Sequence, residues 1–298
     1  MRNKIFNFSI FLVIYFLASI NVYSSEEFNF NITEIQISED GNKIFGSKGG
    51  NVITDDGIVI SADNFNYDKT KNILKAFGNV KVEDKKEKYI IISEDITYIK
   101  NQEKILSKGK TTADIYSRYI LESSDLIFSR KSKILESENK TKVKDQINKI
   151  LYSLEKFNFL LVEEVLKGEK ILVNLDYNLP QNDKLFFENG MFDLKNKTFA
   201  VKDFEFKFKK DGVFNKDNDP RLKGLSATSK NDITIINKGI FTSCGYNDDC
   251  PPWALSANKI IHDKNKKQMI YEGALLKIYN IPVFYFPKFF HPDPTVKR

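Results

Sequence analysis

A motif returns along this chain at a step of about 30 residues, and a step of that length confines it to stacked modules. Ile60-Ser61-Ala62-Asp63-Asn64-Phe65-Asn66-Tyr67 comes back as Ile92-Ser93-Glu94-Asp95-Ile96-Thr97-Tyr98 and again as Leu121-Glu122-Ser123-Ser124-Asp125-Leu126-Ile127-Phe128. Asn64, Asp95 and Asp125 fall 31 and 30 positions apart, and Tyr67, Tyr98 and Phe128 keep the step. Each copy runs into a charged turn and a short apolar pair: Ile73-Leu74, Ile105-Leu106, Ile134-Leu135. Gly50, Gly78 and Gly109 open the units. A unit this short holds two or three strands and buries its apolar face only against its neighbours.

The local pattern agrees. Between residues 28 and 137, short β-branched and aromatic runs such as Ile58-Val59-Ile60, Val80-Lys81-Val82 and Tyr89-Ile90-Ile91-Ile92 alternate with turn formers such as Asp55-Asp56-Gly57 and Phe77-Gly78-Asn79. The period changes over 140–168. There Val143, Ile147, Ile150, Leu151, Leu154, Phe157, Leu161 and Val165 recur at three- and four-residue steps. That spacing predicts one or two amphipathic helices, packed on a sheet edge or facing a membrane or partner. Strands are expected again after Pro180. In Phe204-Glu205-Phe206-Lys207-Phe208 three rings share one face and the charges the other.

The first 25 residues bear on the compartment. Arg2 and Lys4 precede an apolar run from Ile5 to Ile20, and Val22-Tyr23-Ser24 offers compact residues for cleavage. This is the pattern of a secretory signal, with an uncleaved anchor as the alternative. Losing Arg2 and Lys4 lowers the formal charge from +6 to +4. The positive charge is nearly all lysine interspersed with acids, without the clustered arginine forks that nucleic acid calls for. Cys244 and Cys250 are the only cysteines. In an exported chain they read as a disulfide, with each other or with cysteines elsewhere, rather than as a zinc site lacking further ligands. No nucleophile elbow, phosphate loop or metal-ligand cluster is present, and no cofactor is expected.

The last sixty residues carry the most specific signals. Cys250-Pro251-Pro252-Trp253-Ala254-Leu255 is followed by Tyr271-Glu272-Gly273-Ala274, then Ile281-Pro282-Val283-Phe284-Tyr285-Phe286-Pro287, and finally His291-Pro292-Asp293-Pro294. This series resembles the segment that joins the periplasmic domain to the barrel in the LptD (OstA) family of lipopolysaccharide-assembly proteins, and the upstream repeats resemble that family's OstA-like domain. Shorter periplasmic members of the same transport system share the repeat, but the Cys-Pro-Pro-Trp and Pro-Val-Phe-Tyr-Phe-Pro signals point to LptD. The prolines remove backbone donors and preset φ, so residues 241–298 read as a stiff junction containing Pro251, Pro252, Trp253, Pro282, Pro287, Pro292 and Pro294.

The resemblance implies an all-β fold: an open two-sheet β-jelly-roll of stacked antiparallel strand repeats over 26–240, to which the pattern above adds a helical insertion near 140–168. It implies no enzymatic activity. Lipopolysaccharide acyl chains would lie in an apolar groove and pass to an outer-membrane barrel for which this chain has no sequence. Period-2 logic offers Ile58, Ile60, Val80, Val82, Ile90, Ile92, Phe204, Phe206 and Phe208 as groove lining, and a one-residue slip would reverse each assignment. The implied partners are a periplasmic bridge protein joined through sheet-edge pairing and an outer-membrane lipoprotein that accompanies the barrel. The implied place is the periplasmic face of a Gram-negative outer membrane. Three alternatives remain: a stand-alone periplasmic lipid bridge, a β-repeat enzyme acting on polysaccharide through paired carboxylates, or a structural or adhesive β protein that binds no lipid.

Overall fold

The computed structural model describes residues 28–179, 182–207, 219–245 and 252–292. The signal-like segment 1–25, Phe208, Cys250, Pro251 and Pro294 lie outside the described residues. The described chain is all-β and antiparallel. The first strands are β1 (Phe28–Ser38), β2 (Lys43–Thr54), β3 (Val59–Ala62), β4 (Asn64–Asp68), β5 (Ile73–Asp84), β6 (Tyr89–Ile99) and β7 (Lys104–Ile115). The middle of the chain forms β8 (Tyr119–Ser124), β9 (Ile127–Ser129), β10 (Ile134–Ser137), β11 (Thr141–Asp145), β12 (Ile150–Leu154), β13 (Lys156–Leu160) and β14 (Val165–Leu175). The rest forms β15 (Lys184–Asp193), β16 (Thr198–Lys207), β17 (Arg221–Lys230), β18 (Ile233–Thr242), β19 (Trp253–Asp263), β20 (Gln268–Ile278) and β21 (Ile281–Pro292). One 3₁₀ turn, Lys100–Gln102, is the sole helical element among the described residues.

The pairing is a meander. β3 and β4 together span the gap between β2 and β5, while β8 with β9, β11 with β10, and β12 with β13 act as three further broken strands between β7 and β14. From β14 to β21 each strand pairs with the next.

Nearly every long strand is broken or bulged near its middle, and this explains the repeat. The register shifts in β1 between Ile32 and Glu34, in β5 between Phe77 and Val80, and in β6 between Ser93 and Asp95. Left-handed residues mark the same line at Gly78, Gly109, Asp125, Lys170, Asp203, Lys238 and Gly273. A bulge inserts a residue and bends its strand. One hairpin therefore carries two bends, and a bend in every strand at about 15-residue steps gives a sequence period of about 30.

The bends divide the ladder into two arms. Arm A holds the strand ends near Thr54, Asp84, Tyr119 and Leu175, and arm B those near Asp68, Ile99, Lys104 and Leu160. Their inner faces meet through ring pairs: Phe28 with Tyr67 at 4.8 Å, Tyr89 with Phe128 at 4.9 Å, Tyr119 with Phe159 at 5.2 Å, Tyr152 with Phe192 at 5.4 Å. Edge-on and tilted aromatic pairs of this kind add to plain burial. Tyr67, Tyr98 and Phe128, the repeat's ring positions, are all buried.

The helical insertion expected over 140–168 is not formed; that stretch is β11, β12, β13 and the start of β14. The three- and four-residue steps come from strands interrupted by turns. Val143, Tyr152, Leu154, Phe157, Phe159 and Leu161 are buried, and the bend at Glu155 shifts the inward phase so that Leu154 is followed by Phe157. Ile147, which completed the apparent stripe, is an exposed turn residue.

Candidate functional site

The space between the arms is lined by the inward residues of every strand. Ile58, Ile60, Val80 and Val82 lie within it, buried at 0–1% exposure. Ile91 joins them, opposite Val82. Ile90 and Ile92, one position away, face the other side, and Ile92 is 50% exposed. Phe204 is buried and Phe206 half-buried against the same core, with their rings 4.5 Å apart.

At the strand ends the arms are fastened by charge. Arg130, in the turn after β9, is 6% exposed. It donates from Nε to the Tyr89 hydroxyl at 3.0 Å and from Nη1 to the Tyr98 hydroxyl at 2.9 Å. Its Nη2 lies 2.8 Å from Asp56 and 3.6 Å from Asp84, both on arm A. Burial opposes ionisation of Asp56, but hydrogen bonds from Thr54 and Arg130 and the guanidinium charge outweigh it and hold the carboxyl below its usual value. Beside this cluster Lys100 pairs with Asp55, and Lys133 lies 2.9 Å from Glu87.

Arg118 makes a second clasp from arm A. It donates to Glu164 of arm B at 2.8 Å and to Asp145 at 3.2 Å, while Tyr119 donates to the same Glu164 at 2.7 Å. Burial raises the Tyr119 phenol and its hydrogen bond to Glu164 raises it further, so the hydroxyl stays a donor. Apart from Arg130 with Asp56, the hydrogen bonds that cross between arms join residues 41 to 46 positions apart. Arm A of any strand therefore covers arm B of a strand two to three places further on, two by the ring pairs and three by the turn-to-turn bonds.

That offset leaves both ends of the interior uncovered. At the start, arm B of β1 has no earlier arm A over it, and its inward Ile35 and Ile37 are 43% and 66% exposed. At the other end, arm A of β19, β20 and β21 has no later arm B among the described residues. The inward row Leu222, Phe241, Leu255, Leu276, Phe284 runs from 4% exposure at Leu222 to 63% at Phe284. Alongside, the Tyr271 ring stacks on Phe289 at 4.7 Å and its hydroxyl meets His291 Nε2 at 3.1 Å; burial pushes this phenol up to about 12.

The proline-rich stretch extends the ladder. Pro252 precedes β19, Trp253 opens it with its ring 5.8 Å from Phe241, and Pro282, Pro287 and Pro292 sit in β21. Among the described residues β21 pairs only with β20, an edge position that tolerates proline. Cys244 is half-buried, with Sγ 3.7 Å from the Trp253 carbonyl. On the outer face of arm B a trough of about 620 Å³ is lined by Lys156, Glu169, Asn189, Met191, Lys202 and Thr228. The arginine clasps had a sequence signal: five arginines among 46 basic residues, two of them only twelve positions apart in the repeats.

No family model matches the chain. Comparison with curated proteins likewise finds no match.

Proposed function

We propose that this chain is an exported, periplasmic lipid-transfer domain of the LptD type, an open two-sheet β-jelly-roll whose arms take the acyl chains of lipopolysaccharide and pass them toward an outer-membrane barrel. The observation that carries this reading is an apolar inner face that continues from β1 to β21 and is left uncovered at both ends. An enzyme gains nothing from such a face. A carrier of acyl chains needs it, because each buried methylene contributes about 0.8 kcal/mol, so one twelve-carbon chain gains roughly 9 kcal/mol.

The two ends suit two partners. Arm B of β1 to β4 offers an open edge and uncovered isoleucines, which a bridge domain of the same bent-strand type would cover while pairing with β1. Arm A of β19 to β21 offers Phe284 and Phe286 beside the stiff prolines, on the side where the resemblance places the barrel and its lipoprotein partner. Lipid moving between these ends breaks no bond, and no cofactor takes part.

The test is photocrosslinking to lipopolysaccharide, with an isoleucine-sized diazirine residue at Ile91 or Ile92, and a leucine-sized one at Leu276. Capture at Ile91 and Leu276 but not Ile92 is expected. Equal capture at Ile91 and Ile92 would place the lipid on no particular face, and capture at none of the three would remove the carrier reading.

A further inference from the structure

We propose that Lys100, Arg118, Arg130 and Lys133 form a phosphate-exchange latch along the seam between the arms. Carboxylates of the opposite arm hold these four cations while the inner faces are packed on each other. The phosphates of an acylated lipid take them over as its chains enter. This rests on the carrier reading and adds the groups that recognise the headgroup and the event that opens the seam.

Position is the first argument. With acyl chains between the arms, a headgroup along the closed stretch leaves at the strand ends, and all four cations sit in strand-end turns. The turn holding Lys100 and the turn holding Arg130 and Lys133 are one hairpin apart, about 10 Å at the usual strand spacing. Phosphate binds where cations with several N–H donors converge, and guanidinium is the better match for its oxygens.

The second argument is the partners. Every one of the four cations is paired across the seam: Lys100 with Asp55, Arg130 with Asp56, Lys133 with Glu87, Arg118 with Glu164. Four of these acids already touch solvent, with side-chain exposures of 46% for Asp55, 35% for Asp56, 39% for Glu87 and 23% for Glu164; Asp84, 3.6 Å from Arg130, is the buried exception at 4%. Parting the arms rehydrates them easily, whereas the cations are the more enclosed members, at 12% for Lys100 and 7% for Arg130. An opened seam thus takes Asp55 from Lys100, Asp56 and Asp84 from Arg130, Glu87 from Lys133 and Glu164 from Arg118, leaving only Glu103 beside Arg130 and Asp145 beside Arg118 on their own arms. Arg118 even keeps a donor in reserve, since its buried Nε has no acceptor among the described residues. The third argument is extent: the cross-seam ion pairs among the described residues all lie between Asp55 and Glu164, along the first part of a buried interior that continues through Phe187 and Ile260.

The experiment compares hexa-acylated lipid A with its dephosphorylated form, each offered to the full chain carrying a diazirine residue at Ile91. Wild-type protein is expected to capture the phosphorylated lipid about tenfold better, a difference worth about 1.4 kcal/mol. The Arg118→Met/Arg130→Met variant should capture both alike. Equal capture of the two lipids by wild-type protein overturns the latch and leaves the carrier reading standing. Capture of neither removes both. A third arm adds inorganic phosphate to the dephosphorylated lipid; restored capture there means that free phosphate, not a headgroup, is read, and the proposal fails. If the double variant does not fold, Glu87→Gln and Lys133→Gln at the half-exposed pair decide. The first should raise capture of the phosphorylated lipid and the second lower it, and the reverse order overturns the latch.

Discussion

Asp145, 1% exposed at the end of β11, accepts hydrogen bonds from the backbone N–H groups of Ile147 and Asn148, from the Asn148 side chain at 2.7 Å and from Arg118 at 3.2 Å. Burial works against its charge, but the Asn148 bonds and then Arg118 prevail, and the carboxyl lies below its ordinary value of 3.8. A depressed carboxyl stabilises the fold above the unfolded-state value and loses that contribution as pH falls through the folded one. Asp56 behaves in the same way. Denaturation midpoints should therefore hold steady from pH 7 to about 5 and fall below about 4. Asp145→Asn should lower stability by about 2 kcal/mol at pH 7 and flatten part of the acid loss, both read by urea titration. A variant that kept the full acid loss would show that other carboxylates control it. At this scale the sequence was only partly legible. The scarcity of arginine beside so much lysine was read only against nucleic-acid binding and singled out neither Arg118 nor Arg130, and the distance of more than 40 residues to their partners across the seam is a product of the bend that left no local trace.

The bend is the element on which the architecture turns, and two glycines test it. Gly78 and Gly109 hold φ of 74° and 76°, a region that side chains disfavour. A Cβ on Gly109 meets open space, whereas one on Gly78 comes within 2.6 Å of an Asp63 carboxylate oxygen on the neighbouring strand. Gly109→Ala should cost about 1 kcal/mol by backbone strain alone and Gly78→Ala more, measured by chemical denaturation. Equal losses would mean that Asp63 moves aside freely. The repeat, the glycines at its bends and its all-β character were legible because they recur every hairpin and follow from period-2 alternation. The misread stretch over 140–168 fails for the same physical reason that the repeat exists. Short strands, a four-residue turn and a phase shift at Glu155 sum to three- and four-residue steps, which imitate a helical stripe in a window of that length. The face of Ile90 and Ile92 was illegible on its own, since four consecutive β-formers, Tyr89 to Ile92, give alternation no starting point; only the pairing of Ile91 with Val82 decides it.

Across the whole molecule, the offset of two to three strands between arms makes equivalent inward positions unequal, and that inequality is measurable. Ile37 and Ile105 both point inward on arm B, but Ile105 is covered by arm A and 1% exposed, while Ile37 is 66% exposed. Leu222 and Phe284 are the matching pair on arm A, at 4% and 63%. An aspartate at a covered position must be buried without a partner, so Ile105→Asp and Leu222→Asp should each lose more than about 3 kcal/mol. The same change at Ile37 or Phe284 keeps the charge in water and should move stability by no more than about 0.5 kcal/mol. On the proposed function the two uncovered positions should instead separate by partner: Ile37→Asp should weaken docking of the proposed bridge domain at β1, and Phe284→Asp should weaken lipid capture at Leu276 without affecting that docking. Urea titration of the four variants tests the offset directly. If Ile37→Asp unfolded the chain as readily as Ile105→Asp, the first strands would have to be covered, and the open end that the proposed transfer between domains requires would not exist.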